Sequence, residues 1–368
     1  MSARPLRIVV IAPLRFPIRR PHAGGLESAV WAEVDALRRR GHEVTFVAPE
    51  GSDFLPPSSV FRLPPVTWPG GSAPTDKTWP ESYHRDSAPA LARALDEIAA
   101  HPQRYDVVSN HCLHPLPLQR AAGLGVPMVT TLHTPVDDAF VAAHAGSHGA
   151  GSAFFSVSSH TRVEWGAAGV PSRLLPNGVD PAAWALGPGG DDLVWFGRIV
   201  PEKAPHVAVE VARRLGRRLV IAGRIGDETY AREVLLPRIG GDVEYAGELE
   251  PAALARLVGR SGLALATPAW AEPFGLVGPE ALMCGTPVVG FAVGGVPEIA
   301  AATFGMQLVP AGDVDEMTAR VSGLLPNGTD AAFRALVRES AERRFSLAAR
   351  ISALEAAFAD LVTAETAA

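Results

Sequence analysis

A chain of 368 residues is too long for one ordinary hydrophobic core and predicts two domains of usual size. Its 47% hydrophobic and 20% charged residues exclude a disordered chain, and its formal net charge of −6 argues against a nucleic-acid-binding surface. The only cysteines, Cys112 and Cys284, stand far apart and indicate neither a disulfide framework nor a zinc site. The sequence lacks an apolar run of about 18 residues and a cleavable signal pattern, which predicts a cytoplasmic protein without a transmembrane segment.

The first half of the chain alternates apolar runs with amphipathic segments, which predicts a parallel sheet covered by helices on both faces. The predicted strands are residues 6–12, 43–48, 106–111, 127–133, 153–158 and 174–178. The predicted helices are residues 26–40, 88–100, 115–124, 136–144 and 160–168. Residues 50–86 are rich in proline and predict an irregular surface excursion. No G-x-G-x-x-G follows the first strand, so an NAD-binding domain loses its main support.

The second half repeats the alternation after residues 180–191, whose proline, glycine and alanine content predicts an interdomain linker. The predicted strands are residues 193–197, 218–223, 243–247, 263–267 and 288–292. The predicted helices are residues 203–215, 229–236, 251–260, 279–284, 314–325, 330–345 and 346–362. Two doubly wound halves predict a cleft between their facing carboxyl strand edges, where such sheets bind ligands.

The stretch EPFGLVGPEALMCGTP, residues 272–287, predicts a ligand-binding loop that leads into a short helix. Pro279 suits the first turn of that helix. Free amides at a helix N-terminus attract an anion, and the carboxylates of Glu272 and Glu280 suit sugar or ribose hydroxyls. The competing interpretation is that Glu280 is only a favourable charge at the helix N-terminus, of about 0.3–1 kcal/mol.

Two cations and a glycine pair extend this candidate site. Arg198 ends a strand and Lys203 begins the next helix, so both project from the sheet edge that carries the Glu272 loop. A planar guanidinium and a compact ammonium suit a diphosphate, although the two residues alone indicate only a solvated loop. Gly24 and Gly25 let backbone approach a phosphate or sugar, and a simple turn before a helix explains the pair equally well.

Two histidines follow neighbouring strands in the first half. His133 ends a strand and is expected to face the cleft, where it can hold a hydroxyl or donate to a developing charge. A satisfied structural histidine explains His133 equally well. His111 ends the adjacent strand and is the weaker candidate for ligand contact.

Together these residues resemble the signature of the large retaining nucleotide-sugar glycosyltransferases of family four. The matching stretches occur in the family's order and spacing: GGLE at 24–27, RRRGHEV at 38–44, PNGVD at 176–180, GRIVPEK at 197–203, EPFGLVGPEALMCGTPVV at 272–289 and GGVPEI at 294–299. The resemblance implies the GT-B fold, an α/β architecture of two Rossmann-like doubly wound parallel-sheet domains facing across a cleft. It implies an acceptor-side domain at 1–180, on which a C-terminal helix at 347–368 packs back, and a donor-binding domain at 181–346.

The resemblance also implies roles by matching position. Arg198 and Lys203 would neutralise the donor diphosphate, and Glu272 would contact the transferred sugar. Glu280 would bind the ribose, and His133 would lie near the sugar at the reaction centre. The acceptor side does not carry over, and His111 is the one candidate there. The other implied donor-binding residues are Gly24, Gly25, Arg224, Ile225, Leu249, Phe274, Gly275, Leu276 and Val277.

The implied activity is retaining transfer of a hexose-type sugar from a nucleotide diphosphate donor, with UDP the first candidate, to an acceptor hydroxyl. Family members work without a bound metal, so neither a metal nor another cofactor is expected. The alternatives are a nucleotide-sugar epimerase on the same fold and a non-catalytic sugar-nucleotide-binding subunit. Neither the acceptor nor the oligomeric state is predicted.

Two departures from the family pattern qualify the resemblance. Ala204 stands where glycine is usual after the lysine, and Gly278-Pro279 where two larger apolar residues are usual. Both departures lie beside the implied donor site and leave its charged residues in place. The chain lacks a basic amphipathic segment, which favours a soluble acceptor over a membrane lipid. Arg15, Arg19 and Arg20 near Phe16 nevertheless leave a peripheral membrane contact open.

Overall fold

The computed structural model describes residues 4–56, 58–68, 80, 82–147 and 151–366. Its contacts divide into two α/β units. The first contains the amino-terminal part of the chain as far as Asn177, together with the last helix. The second runs from Gly178 to Ser346. Within the described residues, no helix has the length and apolar content needed to span a membrane.

A seven-stranded parallel sheet forms the first unit. Its strands are β1 (Arg7–Ile11), β2 (Glu43–Pro49), β3 (Arg62–Leu63), β4 (Val107–Asn110), β5 (Met128–Leu132), β6 (Ser152–Ser156) and β7 (Arg173–Leu174), in the spatial order β3-β2-β1-β4-β5-β6-β7. The helices between them are α1 (Gly25–Arg39), α2 (Tyr83–Ala100), α3 (Leu116–Arg120), α4 (Asp138–Gly146) and α5 (Ser159–Ala167). Because helices cover both faces, β4 is buried along its length and β1 is buried from Ile8 onward, where it is a continuous apolar run.

The second unit has six parallel strands. They are β8 (Leu193–Phe196), β9 (Leu219–Ala222), β10 (Val243–Tyr245), β11 (Leu263–Ala266), β12 (Val288–Phe291) and β13 (Met306–Val309), in the order β10-β9-β8-β11-β12-β13. The helices are α6 (Pro205–Leu215), α7 (Glu228–Tyr230), α8 (Pro251–Gly259), α9 (Val277–Met283), α10 (Val296–Ala302), α11 (Val314–Leu324) and α12 (Ala331–Phe345). In both sheets the order reverses beside the first strand, which is where doubly wound folds bind ligands.

The last helix, α13 (Leu347–Thr366), packs on α1 of the first unit. Ile351, Leu354 and Phe358 lie in the core of that unit. At the rim, Glu355 accepts a 2.8 Å hydrogen bond from Arg40 and lies 2.8 Å from a ring nitrogen of His42. The spacing of the apolar residues therefore buries one face of α13 and places Glu355 beside the basic C-terminal end of α1.

Several elements differ from the sequence predictions. The sequence analysis misses α10 and β13, because β13 is a four-residue edge strand with two half-buried positions and shows little periodicity. Helix α2 begins five residues before its predicted start and contains Pro89, a residue usually tolerated only in a first turn. The excursion predicted at 50–86 includes β3 and the first turn of α2, and residues 57, 69–79 and 81 of it lie outside the described residues.

Residues 180–191 are not a free linker. The amide of Gly187 donates to Cys284 O at 3.1 Å, and that of Gly189 donates to Gly259 O at 2.9 Å. A Cβ atom on Gly187 would lie 2.1 Å from Gly259 O, so only glycine permits this approach of two backbones. The glycine content that predicted a linker reflects close packing within the second unit.

Candidate active site

The candidate donor site lies at the strand-order reversal of the second sheet, between β8 and β11. Gly197 and Arg198 follow β8 directly, and the segment that carries Glu272 follows β11. Parallel strands end at the same edge, so the topology brings both segments to one place. Lys203 and Glu272 are therefore neighbours, as their positions after the two strands predict.

A hydrogen-bonded turn holds Lys203. Residues 201–203 form one turn of 3-10 helix, and α6 begins only at Pro205, two residues after the predicted helix start. Between them Ala204 has a φ of +46°, a left-handed conformation that explains why glycine is usual at this position in the family. The hydroxyl of Thr267 lies 2.9 Å from Lys203 O and accepts a 2.9 Å hydrogen bond from Trp195. The end of β11 thus fixes the backbone of the lysine turn.

Lys203 and Glu272 form an ion pair. The indole N–H of Trp270 donates to the same oxygen of Glu272 at 2.9 Å, and the Lys203 ammonium lies 5.6 Å from the centre of the Trp270 ring. Glu272 is only 7% exposed. Lys203 and Glu272 therefore neutralise each other at the carboxyl edge of the second sheet.

Arg198 supplies a second, more buried cation. Its side chain is 8% exposed, and Nη2 lies 3.4 Å from Oε1 of Glu202. The amide of the next residue, Ile199, donates to Arg224 O at 2.9 Å, which ties this loop to the segment after β9. The implied donor-binding residues Arg224, Ile225 and Leu249 accordingly follow β9 and β10 at the same edge of the sheet.

The GGVPEI stretch positions the Glu272 loop. The amide of Gly295 donates to Glu272 O at 2.7 Å. Gly294 has a φ of +55°, and a Cβ atom there would lie 2.1 Å from the same carbonyl oxygen. Any side chain at Gly294 would push Glu272 away, so the two matched stretches form one local structure.

The loop before α9 presents backbone amides. Phe274 is buried and packs edge-to-face on Phe345, with 5.7 Å between ring centres. Gly275 has a φ of +93°, which lets the chain turn into α9 at Val277. The first amides of a helix have no intrahelical acceptor. The amide of Val277 is the first of α9, and those of residues 274–276 belong to the loop that leads from Glu272 into the helix.

Glu280 has an unusual environment. Its side chain is half-buried in α9, and within the part of the chain that the structure describes no hydrogen bond or ion pair engages its carboxyl group. Burial raises the pKa of Glu280 to about 8. A carboxyl held without a partner has unused acceptor capacity, as expected of a group that meets hydroxyls of a ligand.

We expect Glu280→Gln to stabilise the protein at alkaline pH. The folded-state pKa of about 8 lies above the ordinary value of 4.5, so the folded state binds more protons between these values. The unfolding free energy of the parent is therefore largest below pH 4.5 and falls as the pH rises through 8. The fall amounts to a few kcal/mol, at about 1.4 kcal/mol per pKa unit. Glutamine removes this loss.

Urea unfolding at pH 5 and pH 9 measures this effect. The difference in unfolding free energy between Glu280→Gln and the parent should grow with pH. The matched control is Glu248→Gln, which alters an exposed carboxylate of the same unit. An equal difference at both pH values would contradict the assigned environment of Glu280.

The candidates in the first unit lie at the corresponding edge of its sheet. Gly24 precedes α1 with an extended backbone, and Gly25 is the first residue of the helix and is exposed. His111 follows β4 and His133 follows β5, and the two rings are joined by a 2.9 Å hydrogen bond from Nδ1 of His111 to Nε2 of His133 or the reverse. The strand-end rule thus places these residues correctly relative to the sheet.

The assignment of His111 to the acceptor needs correction. His111 is 1% exposed, and its two ring nitrogens face Glu33 and His133. Because protein groups occupy both nitrogens, the ring has none left for an acceptor. His133 is half-buried and has a second nitrogen that no described residue occupies.

Sequence reasoning misses several residues that shape these sites. Glu33 and Arg350 are acidic and basic residues within the buried stripes of α1 and α13, a signal that the periodicity contains. Trp270 and Thr267 lie between β11 and Glu272, where the carboxyl-edge rule already points. A charged residue at an apolar position would have identified Glu33 and Arg350, and a polar residue directly after a strand would have identified Thr267.

Comparisons with known proteins agree with this architecture. Residues 23–183 match the family model described as Glycosyltransferase Family 4, and residues 180–344 match Glycosyl transferases group 1. The Phosphatidyl-myo-inositol mannosyltransferase of Mycolicibacterium smegmatis is 29% identical over 87% of this chain and 85% of its own length. The D-inositol 3-phosphate glycosyltransferase of the same species is 34% identical over 50% of this chain, and the match covers only 44% of that relative.

A solved structure shows the same fold. The Anabaena protein HepE, crystallised in complex with UDP and glucose, has a TM-score of 0.70 and 16% identity over 97% of this chain and 100% of its own. The predicted fold class is confirmed: both sheets are parallel and doubly wound, as in the GT-B fold. With matches to the two family models that together run from residue 23 to residue 344, the chain belongs to the glycosyltransferases of family four.

Proposed function

We propose that this chain transfers a hexose-type sugar from a nucleoside diphosphate donor to an acceptor hydroxyl, with retention of configuration at the anomeric carbon. The observation that carries the proposal is the Lys203–Glu272 ion pair beside Arg198, at the strand-order reversal of the second sheet. It combines cations for a diphosphate with an acceptor for sugar hydroxyls. These are the two halves of a nucleotide sugar.

Charge stabilisation at the leaving group is the main task of the site. When the bond from the sugar to the diphosphate breaks, negative charge grows on the departing phosphate. Arg198 and Lys203 neutralise that charge, and the amides of residues 274–277 add backbone donors. Because these groups are fixed by the β8 and β11 loops before the reaction, little reorganisation is needed during it.

The two glutamates bind the hydroxyls of the donor. Glu272 receives those of the transferred sugar, and Glu280 receives those of the ribose. In this proposal retention arises from attack on the face that the diphosphate leaves, with a phosphate oxygen taking the acceptor proton. The reaction then needs neither an enzyme nucleophile nor a metal ion, since the two cations supply the positive charge.

We expect Glu272→Gln to bind nucleoside diphosphate more tightly while losing transfer activity. In the unliganded protein Glu272 neutralises Lys203, and a diphosphate must compete for the ammonium. Removing the carboxylate charge frees the lysine, by about 1 kcal/mol for a partly buried pair, which corresponds to roughly fivefold in affinity. Calorimetry with UDP measures the affinity, and a product assay measures transfer.

Trp270→Phe is the matched control for this experiment. It removes the hydrogen bond from the indole to Glu272 but keeps the ion pair and an aromatic ring beside Lys203. UDP affinity should stay close to that of the parent. Unchanged or weaker UDP binding by Glu272→Gln would contradict the competition between the carboxylate and the diphosphate.

Similar proteins indicate which donor and which acceptor should be tested first. UDP is the first donor nucleotide to test, because HepE was crystallised with UDP and glucose. Inositol-containing polyols are the first acceptors, because the two relatives are named for transfer to D-inositol 3-phosphate and to phosphatidyl-myo-inositol.

A donor panel tests the proposal. UDP-, GDP-, dTDP- and ADP-linked hexoses are incubated with the enzyme, with and without an inositol acceptor, and the anomeric configuration of any product is read by NMR. A product that retains the donor configuration supports the proposal. Conversion of the donor sugar without an acceptor would identify an epimerase instead, and tight donor binding without turnover would identify a non-catalytic subunit.

A further inference from the structure

A buried carboxylate connects four parts of the first unit. Glu33 lies in the middle of α1 and is 1% exposed. Its Oε1 accepts from the Ser109 hydroxyl at 3.0 Å and lies 2.9 Å from Nε2 of His111. Its Oε2 accepts from Arg350 of α13 at 3.2 Å. A carboxylate in the apolar stripe of a helix is costly unless such partners compensate it.

The chain of contacts continues to His133. Nδ1 of His111 lies 2.9 Å from Nε2 of His133, and the two rings are tilted by 35°. Residue by residue, the connection runs from Glu33 through His111 to the candidate histidine of the reaction centre. Such a connection determines which ring nitrogen carries the proton, because each hydrogen bond has one donor and one acceptor.

The protonation state of Glu33 sets the direction of the first bond. Burial opposes its ionisation, but the hydrogen bonds from His111 and Ser109 and the charge of Arg350 hold the pKa of Glu33 well below its usual range. An ionised carboxylate only accepts, so Nε2 of His111 must carry a proton. Arg350 already balances the negative charge of Glu33, so a second proton on His111 would add a buried charge without a counter-charge.

The second bond then has a direction too. His111 with its single proton on Nε2 has a lone pair on Nδ1, so His133 must donate from Nε2. Burial and the charge of Arg350 hold the pKa of His133 well below its ordinary value, so that ring is neutral. His111, Arg350 and Glu33 are the charged or titratable groups that act on His133. Its Nδ1 is left as a lone pair.

We propose that Glu33 and His111 are positioning residues that hold His133 in the tautomer with a proton on Nε2, so that Nδ1 accepts a hydrogen bond from a substrate hydroxyl. The arrangement resembles the use of a carboxylate to fix the tautomer of a catalytic histidine in hydrolases. The identity of the hydroxyl rests on the proposed function. The tautomer does not, because it follows from contacts within the unit.

Nitrogen NMR of the enzyme labelled with 15N-histidine tests the proposal without any substrate. Two- and three-bond 1H–15N correlations distinguish the tautomers, and His111→Gln and His133→Gln spectra assign the signals. His133 is expected to be neutral, with its proton on Nε2, from pH 5.5 to pH 8. A proton on Nδ1 of His133, or a charged ring at pH 7, would overturn the proposal. This measurement needs only the wild-type fold.

Kinetics of Glu33→Gln provide the second arm. An amide can donate or accept, so it no longer dictates the proton position on His111. We expect kcat to fall about tenfold, with the donor KM within twofold of the parent, together with a mixed tautomer at His133. Retention of both the tautomer and kcat would show that Glu33 only ties α1 to α13.

Asp106→Asn is the matched control for loss of a buried carboxylate. Asp106 precedes β4 at the end opposite His111 and pairs with Arg4 and Arg7 at 2.9 Å. The Asp106→Asn substitution should lower the free energy of unfolding without changing the His133 tautomer or the pH profile of kcat. If the wild-type enzyme transfers no sugar from any donor, the proposed function fails, whereas the tautomer result stands or falls separately.

Discussion

Replacing Lys203 by alanine should lower kcat/KM for sugar transfer by about 10²- to 10³-fold while the fold persists. This is the usual range for removing one fixed donor from the place where charge develops in a transition state. Lys203 is the more exposed of the two cations, since its side chain is 23% exposed whereas that of Arg198 is 8% exposed. Its ammonium is therefore the more accessible of the two to a phosphate oxygen.

The variant is expected to remain folded for a structural reason. The hydroxyl of Thr267 lies beside the backbone of the turn, not the lysine side chain, so the geometry of the 3-10 turn survives the substitution. Glu272 keeps the hydrogen bond from Trp270. The loss should therefore appear in catalysis and only slightly in thermal stability.

Steady-state kinetics with the best donor measure the effect, and circular dichroism verifies the fold. Arg217→Ala, an exposed cation beyond the end of α6 in the same unit, is the matched control and should leave kcat/KM unchanged. Lys203→Arg retains a charge and should recover part of the activity. Near-parental kinetics in a folded Lys203→Ala protein would show that the donor diphosphate does not depend on Lys203.

The sequence predicts the positions of the site residues because those positions follow from strand ends. Strands β8 and β11 are covered on both faces, so each is a continuous apolar run whose end can be read directly. Arg198 and Glu272 come after such ends. Parallel topology then brings them together without any knowledge of the side-chain contacts.

What the sequence does not predict depends on contacts between distant segments. The partner of His111 is Glu33, 78 positions away, and no local pattern connects a helix interior with a strand end. The raised pKa of Glu280 likewise reflects burial among residues from several elements. Periodicity predicts that a residue is buried, but not which polar group it meets.

The largest loss of stability is expected on replacing Arg334 by methionine. Arg334 lies in α12 and is 1% exposed. Its guanidinium donates to the backbone carbonyls of five residues and lies 3.1 Å from the Thr286 hydroxyl. The carbonyls belong to Gly187, Gly259, Ser261, Cys284 and Gly328. One buried side chain thus links four chain segments of the second unit by hydrogen bonds.

Methionine fills similar volume but removes the guanidinium donors from these carbonyls, of which those of Cys284 and Gly259 keep the amides of Gly187 and Gly189 as donors. Removing one partner of such a buried charged network typically costs about 3–5 kcal/mol, because the remaining polar groups lose both water and protein partners. The glycine contacts limit any relaxation, since a Cβ atom on Gly189 would lie 2.0 Å from Gly328 O. The segments cannot move together to close the gap.

Urea unfolding of Arg334→Met against the parent measures this loss. Arg343→Met on the same helix, where an exposed arginine pairs with Glu339, should change the unfolding free energy by less than about 0.5 kcal/mol. Burial lowers the pKa of Arg334 to about 10, so at pH 7 the guanidinium is charged and desolvated at a cost that its carbonyl partners must offset. If Arg334→Met unfolds like Arg343→Met, those hydrogen bonds do no more than offset that cost, and the packed glycines alone hold the segments together.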